Sequence, residues 1–347
     1  MSITISSQER LSLISNLATM LSSGIPILEA IDSLLDGAKG NQKKLLENLH
    51  HNLNQGKSIS DSMSHLPKIF DPITVNLVKA AEESGTLETT LKDIAINLKK
   101  ELEFSDKVKG ALAYPAVVLL TFLGVVIVIL TFVIPRIATV FGRLKVTLPL
   151  PTKILIAISS FFLDYTIFIV GGLVILGFIL FFVYRFNKKF LLNIFFSLPL
   201  LSKLAKQIDL ARFTRSFSLL LYSGIPIVNA LELSQNVVSK MEINMVIRKC
   251  REKVNSGKKL SEGFFENKKV IPIFMVKITE TGEKSGTLEK SMQELSEYFE
   301  GQVETALKTL TTLLEPILIV VIGLLIGGVM LAIIAPIYNL IGQIKPR

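Results

Sequence analysis

The stretch Leu21-Ser-Ser-Gly-Ile-Pro-Ile-Leu-Glu-Ala30 returns later in the chain as Leu221-Tyr-Ser-Gly-Ile-Pro-Ile-Val-Asn-Ala230, at an offset of 200 residues. So long a period is not that of a solenoid, whose units span about 20–50 residues. It indicates instead that a whole domain has been duplicated. The Gly-Ile-Pro core of the repeat is typical of one helix ending and another beginning, because glycine closes helices and proline opens them.

Four further matches keep the same order at an offset of 201 residues. They are Gly56-Lys-Ser-Ile-Ser60 with Gly257-Lys-Lys-Leu-Ser261, Glu83-Ser-Gly-Thr-Leu-Glu88 with Lys284-Ser-Gly-Thr-Leu-Glu289, Pro115 with Pro316, and Pro135 with Pro336. In each Ser-Gly-Thr turn the glycine can take the left-handed conformation that ends one helix, and the threonine can cap the next. No segment shows the alternation of apolar and polar residues that is typical of a β-strand. We therefore predict an all-α protein with two repeated helical-bundle domains.

Three long stretches without a charged residue predict membrane-spanning helices: 111–134, 165–184 and 316–344, with 24, 20 and 29 residues. Crossing the roughly 30 Å hydrocarbon layer takes about 20 helical residues. A soluble core helix of such length would carry charge on its outer face, which argues against that alternative. The apolar run 154–163 has only ten residues and is interpreted as interfacial or buried.

Two crossings between the repeated domains would keep both domains on the same side of the membrane. The basic residues that flank the spans weakly favour the cytosol as that side. We therefore expect a multi-pass protein of the bacterial inner (plasma) membrane with both large domains cytosolic. The predicted order is a first cytosolic domain at 1–110, transmembrane helix 1 at 111–134, an external loop with an interfacial segment at 135–164, transmembrane helix 2 at 165–184, a second cytosolic domain at 185–312, transmembrane helix 3 at 313–340 and a short external tail at 341–347.

The net charge of +9 is unevenly distributed along the chain. Residues 1–110 hold 12 basic and 14 acidic side chains, whereas residues 185–312 hold 20 basic and 13 acidic ones. The basic second domain suits acidic lipid headgroups or an acidic protein face. A nucleic-acid partner is not expected, since the basic residues are not interleaved with aromatic ones in a known binding pattern.

The sequence offers no set of residues that would carry catalysis. It contains no GxxxxGK[ST] phosphate-binding loop, and its three histidines have no cysteine near them. The predicted spans lack the aspartates or histidine that an intramembrane protease would use. We therefore expect no enzyme activity, no cofactor and no metal. A divalent cation held by Glu82 or Glu283 is the weaker alternative to simple solvation of these side chains.

Three residues of the last span are candidates for helix packing or client contact: Glu315, Gly323 and Gly327. A carboxylate at a membrane boundary either pairs with a basic group or a client, or lies at the headgroup level as an ordinary polar residue. The GxxxG spacing of the two glycines lets helix backbones approach closely, although it also arises by coincidence.

The repeated motifs resemble those of the type II secretion system protein F / type IV pilus inner-membrane platform family. The resemblance rests on the S-G-I-P segments, the G-K-x-[IL]-S segments and the [AG]-E-x-S-G-x-L turns, each present twice and in order. It implies a platform for assembling a type IV pilus or a type II secretion or competence pseudopilus, without telling which system.

The same resemblance implies the partners. They are a cytosolic hexameric assembly ATPase, pilins or pseudopilins, other inner-membrane components of the apparatus, membrane lipid and further copies of the chain as a homo-oligomer. The platform would couple the ATPase to extraction of pilins from the membrane. The repeated turns are the candidate ATPase-facing residues: Gly24, Pro26, Glu82, Ser84, Gly85, Gly224, Pro226, Glu283, Ser285 and Gly286. A transporter or channel subunit is the alternative function, against which the uncharged spans argue.

Overall fold

The computed structural model describes residues 3–143, 150–165, 171, 178 and 199–343. Within these ranges the chain is helical, and the expectation of an all-α protein is confirmed. It divides into two compact units, the first built from Met1–Lys107 with Leu198–Glu304, the second from Val108–Ser197 with Thr305–Arg347. The predicted second span lies outside the described residues, apart from Tyr165, Gly171 and Phe178.

The first half of the first unit contains five short helices and the start of a long one. They are α1 (Ser7–Ser22), α2 (Ile27–Gly37), α3 (Gly40–Asn54), α4 (Ile59–Ser64), α5 (Pro72–Ser84) and α6 (Leu87–Val128). A capping box opens α1, since the Glu9 N–H donates to Ser6 Oγ (3.1 Å) and the Ser6 N–H to Glu9 Oε2 (2.7 Å). Gly85 ends α5 at φ +71°, in the left-handed region where a side chain would be strained.

The second half has the same sequence of helices. They are α9 (Pro199–Tyr222), α10 (Ile227–Ser234), α11 (Met241–Asn255), α12 (Leu260–Glu266), α13 (Ile273–Ser285) and α14 (Leu288–Gln343), with a short 3₁₀ turn after α10. Gly286 ends α13 at φ +71°, as Gly85 ends α5. Pro26 and Pro226 stand at the N-cap of α2 and α10, one residue before the helical position expected from the sequence.

The two halves pack together inside the first unit. Each has an apolar core, which includes Leu13, Ile14 and Leu17 on α1, and Phe213 and Phe217 on α9, all at most 1% exposed. Helix α5 of the first half contacts α9 and α10 of the second half. Residues 1–107 and 198–304 therefore share one compact body, although they are far apart in sequence.

In the second unit, α6 continues through a π-helical turn at Ile129–Val133 into α7 (Ile134–Arg143). Helix α8 (Leu150–Asp164) contacts both α7 and the π turn, and the Ser159 hydroxyl donates to the Leu130 carbonyl at 2.5 Å. In the stretch expected to be an external loop, 135–164, the described residues 135–143 and 150–164 are therefore helical. The apolar run 154–163, for which an interfacial or a buried position is expected, lies on α8.

Two helical stretches are long and apolar enough to cross a membrane: Leu87–Val140 and Leu288–Leu331. Their apolar side chains point outward, and Leu120 is 76% and Leu324 73% exposed. A core helix of a soluble protein would bury such side chains. The last helix of each half, α6 or α14, continues into such an apolar stretch without ending.

Candidate functional site

A cleft of about 570 Å³ lies in the first unit. Its walls are α6 from Asp93 to Lys107, α9 from Arg215 to Tyr222, and α14 from Glu289 to Glu304. Helix α6 belongs to the first half and the other two helices to the second half. The cleft therefore exists only because the two halves pack together.

The lining of the cleft is charged and on balance acidic. Six carboxylates and four cations line it: Asp93, Glu103, Glu289, Glu297, Glu300 and Glu304 with Lys100, Lys107, Arg215 and Lys290. Partial burial raises the pKa of Asp93. Such a lining favours a partner that presents positive charge, since unlike potentials attract across an interface.

Arg215 lies at the base of the cleft and is only 8% exposed. Its guanidinium forms an ion pair with Glu300, with Nε donating to Oε1 at 3.1 Å, and it stacks 5.1 Å from the ring centroid of Phe104 on α6. The Ser296 hydroxyl donates to the same Glu300 oxygen at 2.9 Å. A buried charge is tolerated only when it is paired in this way, so Arg215 ties α6, α9 and α14 together.

A second ion pair joins the two long helices at the lower end of the cleft. The ammonium group of Lys107 on α6 lies 2.6 Å from Glu304 Oε1 on α14. The hydrogen bond to Glu304 raises the pKa of Lys107, and the charges of Glu304, Glu103 and Glu300 add to the effect. Lys107 is therefore a cation among three carboxylates, a few residues before α6 becomes apolar.

The predicted residues Glu82 and Glu283 have a definite structural role. The Glu82 carboxylate accepts the first two N–H groups of α4, from Ile59 at 2.6 Å and Ser60 at 3.0 Å. Glu283 accepts the first two N–H groups of α12 in the same way, at 2.6 and 3.2 Å. Each glutamate thus supplies from another helix the acceptors that a helix start lacks. This explains why the glutamate and the G-K-x-[IL]-S segment occur together in both halves.

The other predicted turn residues lie at helix ends near these glutamates or between the first two helices of each half. The glycines are in the left-handed region, with φ between +71° and +82°. Ser84 and Ser285 are exposed, and each hydroxyl lies 2.7 Å from the threonine hydroxyl two residues later. The turns are Gly24–Pro26, Ser84–Gly85, Gly224–Pro226 and Ser285–Gly286. That they face an ATPase stays a prediction.

The candidates on the last span, Glu315, Gly323 and Gly327, lie exposed on α14. A Cβ placed on either glycine would meet nothing within 4 Å in the part of the chain that the structure describes. A helix that packs against these glycines would therefore come from outside the described part of the chain. The packing role stays a prediction. No group of three or more residues able to hold a metal ion occurs among the described residues.

The family model for type II secretion system (T2SS) protein F matches residues 13–135 and 213–336. The chain belongs to this family. The two matched ranges are about 200 residues apart, as the repeated motifs are. The first begins within α1 and continues through α6, and the second begins within α9 and continues into α14. In this protein F family chain, the cleft lies between helices of the first and of the second matched range.

Named relatives of the chain come from both pilus and secretion systems. It is 29% identical to type IV pilus assembly protein PilC of Pseudomonas aeruginosa, over 93% of this chain and 87% of the relative. It is 30% identical to PilC of Thermus thermophilus, over 95% of this chain and 82% of the relative. Identity to type II secretion system protein F of Aeromonas hydrophila is 26%, over 93% and 84% of the two chains.

The cleft residues Arg215, Glu300, Lys107 and Glu304 of this protein F family chain were not predicted from the sequence. The one signal for Arg215 is that the first half has Ser15 at the equivalent position, so the charge belongs to the second half alone. Nothing in the sequence places Lys107 beside Glu304, 197 residues away.

Proposed function

We propose that this protein is an inner-membrane platform that couples a cytosolic assembly ATPase to the extraction of pilins or pseudopilins from the membrane. The observation that carries the proposal is the course of α6 and α14. Each begins in the unit formed by the two matched ranges and continues, without ending, into apolar residues. A movement imposed on the soluble part of either helix is thereby applied to its apolar part.

The packing of the two halves supports a topology with three spans. Residues 1–107 and 198–304 form one unit, so both lie on the same side of any membrane that the chain crosses. The chain between them must then cross an even number of times. The apolar stretches 111–134 and 165–184 supply two crossings, and 313–340 supplies the third. The duplicated domains would both be cytosolic, with the short tail 341–347 outside.

Extraction of a pilin needs a source of energy outside this chain. Exposing one large aliphatic or aromatic side chain to water costs about 1.5–3 kcal/mol, so a span of about 20 residues costs tens of kcal/mol. The sequence has no GxxxxGK[ST] loop, and the proposal therefore assigns nucleotide hydrolysis to the separate ATPase and no catalysis to this protein. The acidic cleft, whose α6 wall ends at Lys107 shortly before the apolar stretch of that helix, suits the basic residues that flank the cytosolic ends of spans.

Charge reversal at the Lys107–Glu304 pair tests this proposal in cells. Lys107→Glu places a fourth carboxylate beside Glu103, Glu300 and Glu304, which drives α6 away from α14. We expect Lys107→Glu and Glu304→Lys each to abolish filament or pseudopilus assembly in a deletion strain, and the double variant to restore it. Membrane abundance, followed by immunoblot, should stay equal, because both side chains are exposed.

Purified protein provides the second arm of the test. In detergent or nanodiscs it should raise the turnover of the assembly ATPase from the same system. Solute movement across liposomes containing the protein alone would favour a transporter or channel and overturn the platform proposal, as would normal assembly in the deletion strain.

A further inference from the structure

The second half carries a strongly basic surface that the first half lacks. Residues 248–269 contain eight Lys or Arg and three Glu, whereas the equivalent residues 47–68 contain two Lys, one Asp and one Glu. The helices of the two stretches correspond one to one, α3 and α4 with α11 and α12. The difference in charge therefore does not serve the shared fold, and it points to a task that the second half alone performs.

Part of this surface forms a cavity of about 380 Å³ at the end of α11. We call it the lysine pocket and define it by Lys249, Lys253 and Lys258, which face Glu266 at the end of α12. Glu266 forms an ion pair with Lys253, which lowers its pKa, and the charges of Lys258 and Lys249 lower that pKa further. All three ammonium groups thus contribute to one positive field.

Two of these lysines remain available to a partner. Lys253 already forms an ion pair with Glu266, and the Lys253 side chain is 21% exposed. In the described part of the chain, the ammonium groups of Lys249 and Lys258 have no hydrogen bond or ion pair, although Glu252 also lines the pocket. The lysine pocket can therefore accept carboxylates from outside without breaking an internal pair.

An exposed aromatic side chain stands next in sequence to the lysine pocket. Phe265 is 52% exposed, and the Lys268 ammonium group lies 5.4 Å from its ring centroid. The equivalent residues in the first half are Ser64 and Pro67. Aromatic anchors beside cations are enriched where proteins bind each other, because the ring buries a large area and the charges select the partner.

The lysine pocket lies at the end of the unit where α14 begins. Glu283, near the end of α13, binds the Leu260 N–H that follows the pocket loop, and Leu288 starts α14 a few residues later. From Leu288 to Glu304 the helix rises about 24 Å at 1.5 Å per residue. The helix becomes apolar only beyond Glu315. A soluble partner reaches this end of the unit more readily than a lipid headgroup does.

We propose that the lysine pocket, together with Phe265, is a docking surface for an acidic segment of a soluble protein. Carboxylates of that segment pair with Lys249 and Lys258, and an apolar side chain covers the ring of Phe265. Within the proposed function, on which this assignment rests, the partner is the cytosolic ATPase. The ATPase then engages the second half alone, and the first half at the equivalent place stays free.

The test measures binding of the purified ATPase of the same system to the full chain in nanodiscs. Lys249→Glu with Lys258→Glu should weaken binding by about tenfold or more at 50 mM salt, and the loss should shrink as salt rises, because screening shortens the reach of surface charges. Phe265→Ser should speed dissociation with little change in the association rate. The matched control, Lys57→Glu with Lys68→Glu, makes the same charge change in the first half and should leave binding unaltered.

The outcomes separate this assignment from the platform proposal. Equal ATPase binding by wild type and the Lys249→Glu/Lys258→Glu variant would overturn the lysine pocket while leaving the platform function intact. If the ATPase binds neither protein, a ten-residue polyglutamate peptide tests the pocket alone, and peptide binding that the variant loses would support it. A short DNA duplex that displaces the peptide would overturn it in favour of nucleic acid. Equal Tm values for wild type, the Lys249→Glu/Lys258→Glu variant and the Lys57→Glu/Lys68→Glu control would show that a loss of binding does not come from unfolding.

Discussion

Replacing Glu82 by Gln should destabilise the soluble unit even though the side chain keeps its size. The two carboxylate oxygens accept the Ile59 and Ser60 N–H groups at 2.6 and 3.0 Å. An amide offers one oxygen, and its NH₂ group would face a backbone donor. One hydrogen bond to a charged acceptor is therefore lost, and the other becomes a weaker bond to a neutral oxygen.

The expected loss follows from these two bonds. A hydrogen bond to a charged group contributes about 1.5–3 kcal/mol, and an N–H left unpaired in a partly buried place costs a similar amount. We expect Glu82→Gln to lower the free energy of unfolding by about 2–3 kcal/mol. For a unit of this size, 1 kcal/mol shifts Tm by about 2–4 °C, so Tm should fall by about 5–10 °C. Far-ultraviolet circular dichroism is the suitable assay, because the chain has no Trp.

The matched control is Glu83→Gln, which makes the same chemical change at the exposed neighbouring residue. Its Tm should stay within about 1 °C of wild type, as is usual for surface substitutions. Glu283→Gln should repeat the effect of Glu82→Gln in the second half. If Glu82→Gln has the same Tm as Glu83→Gln but loses ATPase binding, the capping explanation is wrong. The sequence-based prediction that Glu82 faces the ATPase is then favoured.

Three other changes have defined outcomes. Arg215→Ala leaves Glu300 with a partly buried, unpaired charge and should cost about 3 kcal/mol in chemical denaturation, with Arg215→Lys recovering only part of it. Gly282→Ala brings a Cβ into overlap with the Ser291 side chain and should cost about 1–3 kcal/mol, which Ser291→Ala partly restores; an unchanged midpoint would refute this close approach. Burial raises the pKa of Cys250 to about 12, so only about one thiol in 10⁴ is ionised at pH 8, and iodoacetamide should label it only after unfolding.

The sequence predicted the local elements of the fold well, because their causes lie within a few residues. The left-handed glycines Gly85 and Gly286 and the turn that precedes Pro26 were anticipated from their neighbours alone. The course of α6 and α14 into apolar stretches followed from hydropathy. The helices at 135–143 and 150–164 did not follow, because this stretch was assigned only as the connection between two predicted spans. Pro135 is tolerated because it lies near the start of α7, just after the π turn, where α-helical pairing is already interrupted.

The candidate site could be predicted only in part. The sequence singled out Glu82 and Glu283 because the motif is repeated, but their hydrogen-bond partners lie 22 or 23 residues earlier on another helix. The acidic cleft depends on how α6 packs against α14 and α9, and hydrophobic periodicity carries no information on that pairing. Arg215 and Glu300 were missed because each is one of several charged residues on its helix, and the sequence does not show which of them has a partner on another helix.

The hydrogen bond from Ser159 to the Leu130 carbonyl sets the register of α8 against its neighbour. A π turn disturbs the backbone ladder and leaves carbonyl groups open to an outside donor, and hydrocarbon offers no water to replace that donor. A shift of α8 by one turn, about 5.4 Å, would separate the Ser159 hydroxyl from the Leu130 carbonyl and break their hydrogen bond. A movement of α8 along the π turn would therefore have to break this bond, whereas a movement that carries both helices together would keep it.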